Sequence, residues 1–323
     1  MEVTGPIGVF DSGYGGLTIL KEIQQALPQY DYLYLGDNAR APYGNRSFDV
    51  IYDYTWEAVQ ALFDRGCSLV ILACNTASAK ALRSIQQKNL PVTAPNKRVL
   101  GVIRPSAEAL ESYSNSKHVG ILATEGTVKS ESYRIELAKF APDLKVNQHA
   151  CPMWVPLVEN NQYTSEGGHF FIQQDIDLLL AKDEKIDTIL LGCTHYPILQ
   201  SVIESKLPSN IQVISQGAIV AASLVSYLAR HPEIAESCTQ NGSTQFLTTE
   251  NAVVFNEKAV LLYVLYFTIL ITIFKFLKTS THLLPSPSFV PKLFRLNHRH
   301  ENFGAPALIE LFANYLFKFA NRP

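Results

Sequence analysis

The chain has 323 residues, 47% of them hydrophobic and 17% charged, and a formal net charge of −2. The length is enough for two ordinary domains with their own cores, and the composition is that of a globular protein rather than a disordered one. The near-neutral balance argues against nucleic acid as the main partner, because displacing counterions from phosphates takes a basic surface.

Short apolar runs at 7–10, 32–35, 69–73, 99–103, 119–123, 188–192 and 213–215 read as buried strands, being rich in branched residues and bounded by Gly, Asp or Cys. Amphipathic stretches lie between them. Ser47 is placed to cap a helix running to about Arg65, with Gly66 as its stop. Further helices are expected over 76–88, 105–113, 130–140, 168–181 and 218–230. This alternation predicts an α/β fold with mainly parallel sheets, whose sites lie at the carboxyl ends of the strands. The opening MEVTGPIGVFDSG has no basic start and no long apolar run, so no signal peptide is expected.

A weak internal repeat adds more. IGVFDS at 7–12 resembles VGILAT at 119–124, and VILACNT at 70–76 resembles ILLGCTH at 189–195. Each half offers a strand ending in a hydroxyl residue, then a strand ending in cysteine. Two similar lobes facing each other would bring Cys74 and Cys193 to one cleft.

The five cysteines are Cys67, Cys74, Cys151, Cys193 and Cys238, and no CxxC occurs. A disulfide framework or a structural zinc site is therefore not expected, and a reducing cytoplasm fits. A lone cysteine is ordinarily a small core residue, the reading given to Cys67, Cys151 and Cys238. Cys74 and Cys193 differ because they occupy equivalent repeat positions, each after a strand and before a polar, helix-starting segment, where the helix dipole favours thiolate. Two opposed thiols suit either a redox pair or proton transfer at carbon. Inverting a stereocentre requires a base on one face and an acid on the other, and a thiol pKa near 8.5 suits both roles.

Other candidates surround them. Asp11-Ser12-Gly13-Tyr14-Gly15-Gly16 lets backbone approach an anion, although it is not GxGxxG. Asp11 has three readings: binding a substrate ammonium, orienting a proton-transfer group, or capping a helix. The segment 37–44 is a turn-rich loop carrying Tyr43 and Gly44. His195, two residues after Cys193, is placed to polarise or protonate it. Glu159 is the weakest candidate, since such a residue is usually just solvated.

Together these segments resemble the glutamate racemase family of the aspartate/glutamate racemase superfamily. The resemblance rests on IGVFDSGYGGLTIL at 7–20, YLGDNARAPYG at 34–44, ILACNTASA at 71–79, GVIRPSAEAL at 101–110, ATEGTVKSESY at 123–133, CPMWVPLVE at 151–159, LLGCTHYPIL at 190–199 and FLTT at 246–249. It implies that Cys74 and Cys193 are the two proton donor/acceptors, with Asp11, His195 and Glu159 assisting. Asp11, Ser12, Tyr43, Gly44, Asn75, Thr76, Thr194 and His195 fall where the family holds glutamate. The resemblance further implies no cofactor and no metal, interleaved lobes at 1–99 with 216–258 and at 100–215, and production of D-glutamate for peptidoglycan. It leaves a homodimer open. A racemase for aspartate or another amino acid is the nearest alternative, and an inert glutamate-binding protein a more distant one.

The ending departs from the family. The run 259–274 carries no charge and lies between Lys258 and Lys275, and the chain continues to residue 323. Sixteen such residues would span roughly 24 Å as a helix, short of a ~30 Å hydrocarbon core. Three accounts stand for this tail: a frameshifted or replaced ending, a membrane-anchoring segment, or an extra helix packed on the first lobe or at a dimer interface.

Overall fold

Seven of the nine strands among the described residues of the computed structural model coincide with apolar runs. They are β1 (Ile7–Asp11), β2 (Tyr32–Gly36), β3 (Leu69–Leu72), β4 (Arg98–Gly101), β5 (His118–Ala123), β7 (Thr188–Gly192) and β8 (Gln212–Ile214). The other two are β6 (Lys145–Ala150) and β9 (Thr244–Thr248). The structure describes residues 4–263; the tail lies outside the described residues apart from its first few positions. Among the described residues no helix is long and apolar enough to cross a membrane.

All pairing between these strands is parallel. One sheet runs β4-β3-β1-β2-β9 and the other β6-β5-β7-β8. Central strands covered by helices on both faces read as unbroken apolar runs, which is why β1, β2, β3 and β7 are buried throughout. The chain completes four strands of the first sheet, builds the whole second sheet, then returns to add β9 beside β2. Each sheet has its own core. Phe10, Val59, Leu62 and Leu72 lie in one, and Trp154, Ile172, Ile176 and Leu191 in another.

Local signals explain most boundaries. Ser47 Oγ accepts from Val50 N at 3.5 Å and starts the helix Phe48–Phe63; Gly66 follows at φ 91°, which L side chains resist. The helix expected over 76–88 is instead broken. Asn75–Lys80 stops at Ala81, and a π turn follows at Ile85–Asn89. The wider turn keeps both Ile85 and Leu90 on the core, five positions apart. The helix expected over 130–140 forms as Ser132–Phe140, and a further short helix, Glu125–Lys129, precedes it, with Glu131 in a left-handed conformation at φ 55° between them.

After β9 the helix Ala252–Tyr263 runs through residue 258, where the sequence suggested the first lobe ends. Its Phe255 is buried and stacks on Tyr14 at 5.4 Å between ring centroids. The described residues up to Leu262 group with both sheets.

Candidate active site

β3 and β7 occupy equivalent places in the two sheets, each hydrogen-bonded to the first strand of its own half. Cys74 and Cys193 lie just beyond their carboxyl ends, and both line one cavity of about 260 Å³. They are 5% and 7% exposed, so each thiol meets the outside only through that cavity. Of the other residues expected there, Ser12, Tyr43, Gly44, Asn75, Thr76, Glu159, Thr194 and His195 all line it.

Cys74 is the N-cap of the helix Asn75–Lys80, and its Sγ accepts from Ala77 N at 3.5 Å. Sγ also donates to Ser12 Oγ at 3.4 Å. The expectation that the helix start favours thiolate is reversed at Cys74. Burial, and then the nearby Asp11 carboxylate, push the thiol up to about 12 against the help of Ser12 and the Ala77 N–H. At neutral pH Cys74 is therefore held as a thiol. Cys193 corrects the same expectation differently: a short 3₁₀ turn, Tyr196–Leu199, follows it rather than an α-helix.

The Cys193 side carries a charged relay. His195 Nε2 meets Glu159 Oε1 at 3.2 Å, and the ring also shares a hydrogen bond with Cys193. Burial opposes the imidazolium, but Cys193 and Glu159 outweigh it and raise the ring to about 10. Glu159 is correspondingly held below its usual range, since the His195 partner overcomes burial. Glu159 is not the solvated surface residue the sequence suggested; its side chain is only 21% exposed.

Asp11 departs from the expectation of substrate contact. It is fully buried and is not among the lining residues. Its Oδ2 accepts from Gly13 N at 2.9 Å, and its Oδ1 accepts from Thr194 Oγ1 at 3.3 Å. Burial raises its pKa despite the His195 charge. The geometry thus favours the orienting reading of Asp11 over ammonium binding.

Tyr43 is buried and donates to Asp37, which also accepts from Arg40 Nε at 2.7 Å and Thr249 Oγ1 at 2.9 Å. Gly44 allows a close approach between the halves. Its carbonyl accepts from Gly126 N at 2.7 Å, and a Cβ at Gly44 would lie 3.0 Å from Thr124 Cβ.

Two of the lining residues that were not anticipated carry chemistry of their own. Thr124 caps the helix Glu125–Lys129, and its hydroxyl lies 2.9 Å from that of Thr76 across the halves. The internal repeat aligned Thr124 with Ser12 and was the available signal. Cys151, read as a core residue, is 1% exposed yet also borders the cavity. All five cysteines are free.

One group of potential metal donors stands out among the described residues. Donor atoms of His149, Cys151 and Asp175 lie within 4.8 Å of one another. His149 Nε2 and Asp175 Oδ1 already pair at 2.9 Å, and Lys182 Nζ sits 3.5 Å from His149 Nδ1. That ammonium opposes a second cation, so the arrangement reads as an internal hydrogen-bonded cluster.

Comparison with known proteins agrees with this geometry. The model of the Asp/Glu/Hydantoin racemase family matches residues 7–224. A glutamate racemase of Ruegeria sp. (strain TM1040) is 43% identical over 256 residues, which is 76% of this chain and 92% of that protein. One from Streptococcus gordonii is 39% identical, covering 79% and 93%. Among solved structures, a glutamate racemase isoform from Bacillus anthracis superposes with a TM-score of 0.71 at 34% identity, covering 79% of this chain and 92% of that one. The Francisella tularensis glutamate racemase, solved in complex with D-glutamate, gives 0.70 at 30% identity, covering 81% and 94%. With the family model spanning both lobes and such relatives covered almost end to end, this chain belongs to the Asp/Glu/hydantoin racemase family, on its glutamate racemase branch.

Proposed function

We propose that this enzyme interconverts L- and D-glutamate by moving protons between Cα and two thiols, without a cofactor, and that its product serves peptidoglycan synthesis. The observation that carries the reading is that Cys74 and Cys193, which follow strands of different sheets, border one cavity. A substrate between them has a proton carrier on each face. One thiolate removes the Cα hydrogen, the opposite thiol delivers its own to the other face, and the roles exchange for the reverse reaction. No net proton is consumed.

The surroundings suit those roles. Cys74, held as a thiol, starts as the acid. His195, charged and braced by Glu159, faces Cys193, where its positive charge offsets negative charge that develops on the sulfur during transfer. The cavity is smaller than the roughly 300–1,000 Å³ of drug-sized sites, which suits a compact amino acid. Among the described residues no Lys or Arg lines it. Substrate carboxylates therefore meet neutral donors, namely Ser12, Asn75, Thr76, Thr124 and Thr194, together with His195.

The test is circular dichroism of L-glutamate incubated with the pure enzyme, then the same reaction in deuterated water. The rotation should decay to zero, and the D-glutamate formed should carry deuterium at Cα from the first turnovers. Product that keeps its original hydrogen would rule out two-face transfer. Rescue of a D-glutamate-requiring bacterium by the expressed chain tests the cell-wall role; failure to rescue despite good turnover would reject it.

A further inference from the structure

The chain passes between the sheets twice. It leaves the first after β4 through Val102 into the helix Ile103–Leu110, and it returns after β8 through Gln216 into the helix Gly217–Arg230. Gln216 is 2% exposed, and both ends of its amide are engaged. Its Nε2 donates to Ser106 Oγ at 2.7 Å and to Tyr133 Oη at 2.8 Å, with Val102 O a weaker acceptor at 3.3 Å. Its Oε1 accepts from Asn75 Nδ2 at 2.7 Å. Tyr133 Oη in turn donates to Asn75 Oδ1 at 2.8 Å.

These contacts close a ring: Asn75 donates to Gln216, Gln216 to Tyr133, and Tyr133 back to Asn75. Every donor runs the same way round, so the groups polarise one another, and all three side chains are buried. The members come from three places: the start of the Cys74 helix, the helix Ser132–Phe140 of the second half, and the return crossing. Asn75 is the residue after Cys74 and lines the cavity; Gln216 and Tyr133 do not line it.

We propose that Gln216 and Tyr133 are positioning residues for proton transfer: through Asn75 they fix the start of the Cys74 helix against the second lobe, which carries Cys193. The proposal rests on the two-thiol reading above. Nothing in the local sequence around either residue signals the role, because the ring exists only once the two crossings are brought together.

Tyr133→Phe removes one hydroxyl and keeps the ring's bulk, and Gln216→Glu keeps the shape while replacing the donor amide. In both variants kcat should fall at least tenfold with KM changed less than threefold. The primary isotope effect with Cα-deuterated glutamate should rise in one direction only, the one in which Cys74 abstracts. A purely structural role would lower the active fraction and leave the isotope effects where they were. A second readout is independent of turnover: the alkylation rate of each cysteine, followed by mass spectrometry of its peptide. Cys74 should react at least threefold faster in Tyr133→Phe, while Cys67, buried in the first lobe, keeps its rate. Wild-type isotope effects in both folded variants would overturn the proposal, and so would equal acceleration of Cys67 and Cys74. Absence of turnover in the unaltered enzyme would instead remove the racemase reading, and the alkylation comparison would still judge the ring.

Discussion

At the scale of single residues, the two faces of the cavity are electrically unlike. Cys74 is buried beside the Asp11 carboxylate and held as a thiol, whereas Cys193 has a charged imidazole braced by Glu159. Replacing either cysteine by alanine should abolish turnover in both directions, because inversion needs a group on each face. Substantial two-way activity in Cys74→Ala, measured by circular dichroism, would refute the arrangement. The relay also has a thermodynamic signature. His195 rises from 6.5 to about 10 in the folded protein, so the fold favours its charged form. That contribution is fully present below pH 6.5 and is lost as pH rises through about 10. Unfolding free energies from urea titrations should decline across that window, and Glu159→Gln, which removes one of the two partners, should flatten the decline. A variant curve parallel to the wild type would disprove the pairing. Most of these residues were legible in sequence because they sit in short motifs directly after strands. Asp11 was expected at the substrate but is buried behind the lining, since burial depth is not written in a motif. Thr124 was visible only through its repeat partner Ser12, and Gln216 and Tyr133 only through contacts across the fold.

At the scale of elements, every central strand announced itself, whereas two of the four edge strands, β6 and β9, did not. β6 and β9 each have one strand neighbour and a partly exposed pattern, so their sequences, KVNQHA and TQFLT, carry polar residues and no apolar run. The helix expected over 76–88 failed for another reason. Its apolar positions fit a helical period locally, but tertiary burial of Ile85 and Leu90 selects a wider turn. One close backbone contact between the halves is the one where Gly126 N meets Gly44 O. A Cβ at Gly126 would stand 2.8 Å from that backbone carbonyl and 3.1 Å from Lys80 Nζ. Gly126→Ala should therefore destabilise by about 1–3 kcal/mol through overpacking and raise KM, because Thr124 moves with it. Gly44→Ala, facing the Thr124 side chain at 3.0 Å, should do less. Thermal melts and steady-state kinetics of the pair decide; an unaltered Tm and KM in Gly126→Ala would show that the halves tolerate a wider gap.

At the scale of the whole molecule, the lining residues of the cavity run from Ser12 to His195, all earlier in the sequence than the tail. A chain ending at Tyr263 should keep turnover within about twofold of the full chain. A chain ending before Ala252 should not, because it loses Phe255, buried on Tyr14 and Tyr34. Removing such an aromatic side chain costs about 3–5 kcal/mol. Racemase rate and melting temperature of both truncations test the contrast, and an inactive chain ending at Tyr263 would make the tail integral to the enzyme. The sequence carried the two-lobed α/β plan because each half repeats strand, hydroxyl, strand, cysteine. It left no trace of the tail's role, since the family pattern stops before it.

The late return of the chain to the first sheet has a consequence for how the protein is made. β9 pairs with β2, and Asn38 and Thr248, 210 positions apart, share a hydrogen bond at 3.0 Å. At about 5–20 residues per second, β9 leaves the ribosome roughly 10–40 s after β2. During that interval the second sheet, contiguous in sequence, can form completely, while β2 waits with one edge unpaired. An open strand edge is a template for pairing with other chains. The nascent first lobe is thus the aggregation-prone intermediate, and slow translation or a mutation that weakens β9 should appear as lost soluble yield before it appears as lost activity per folded molecule.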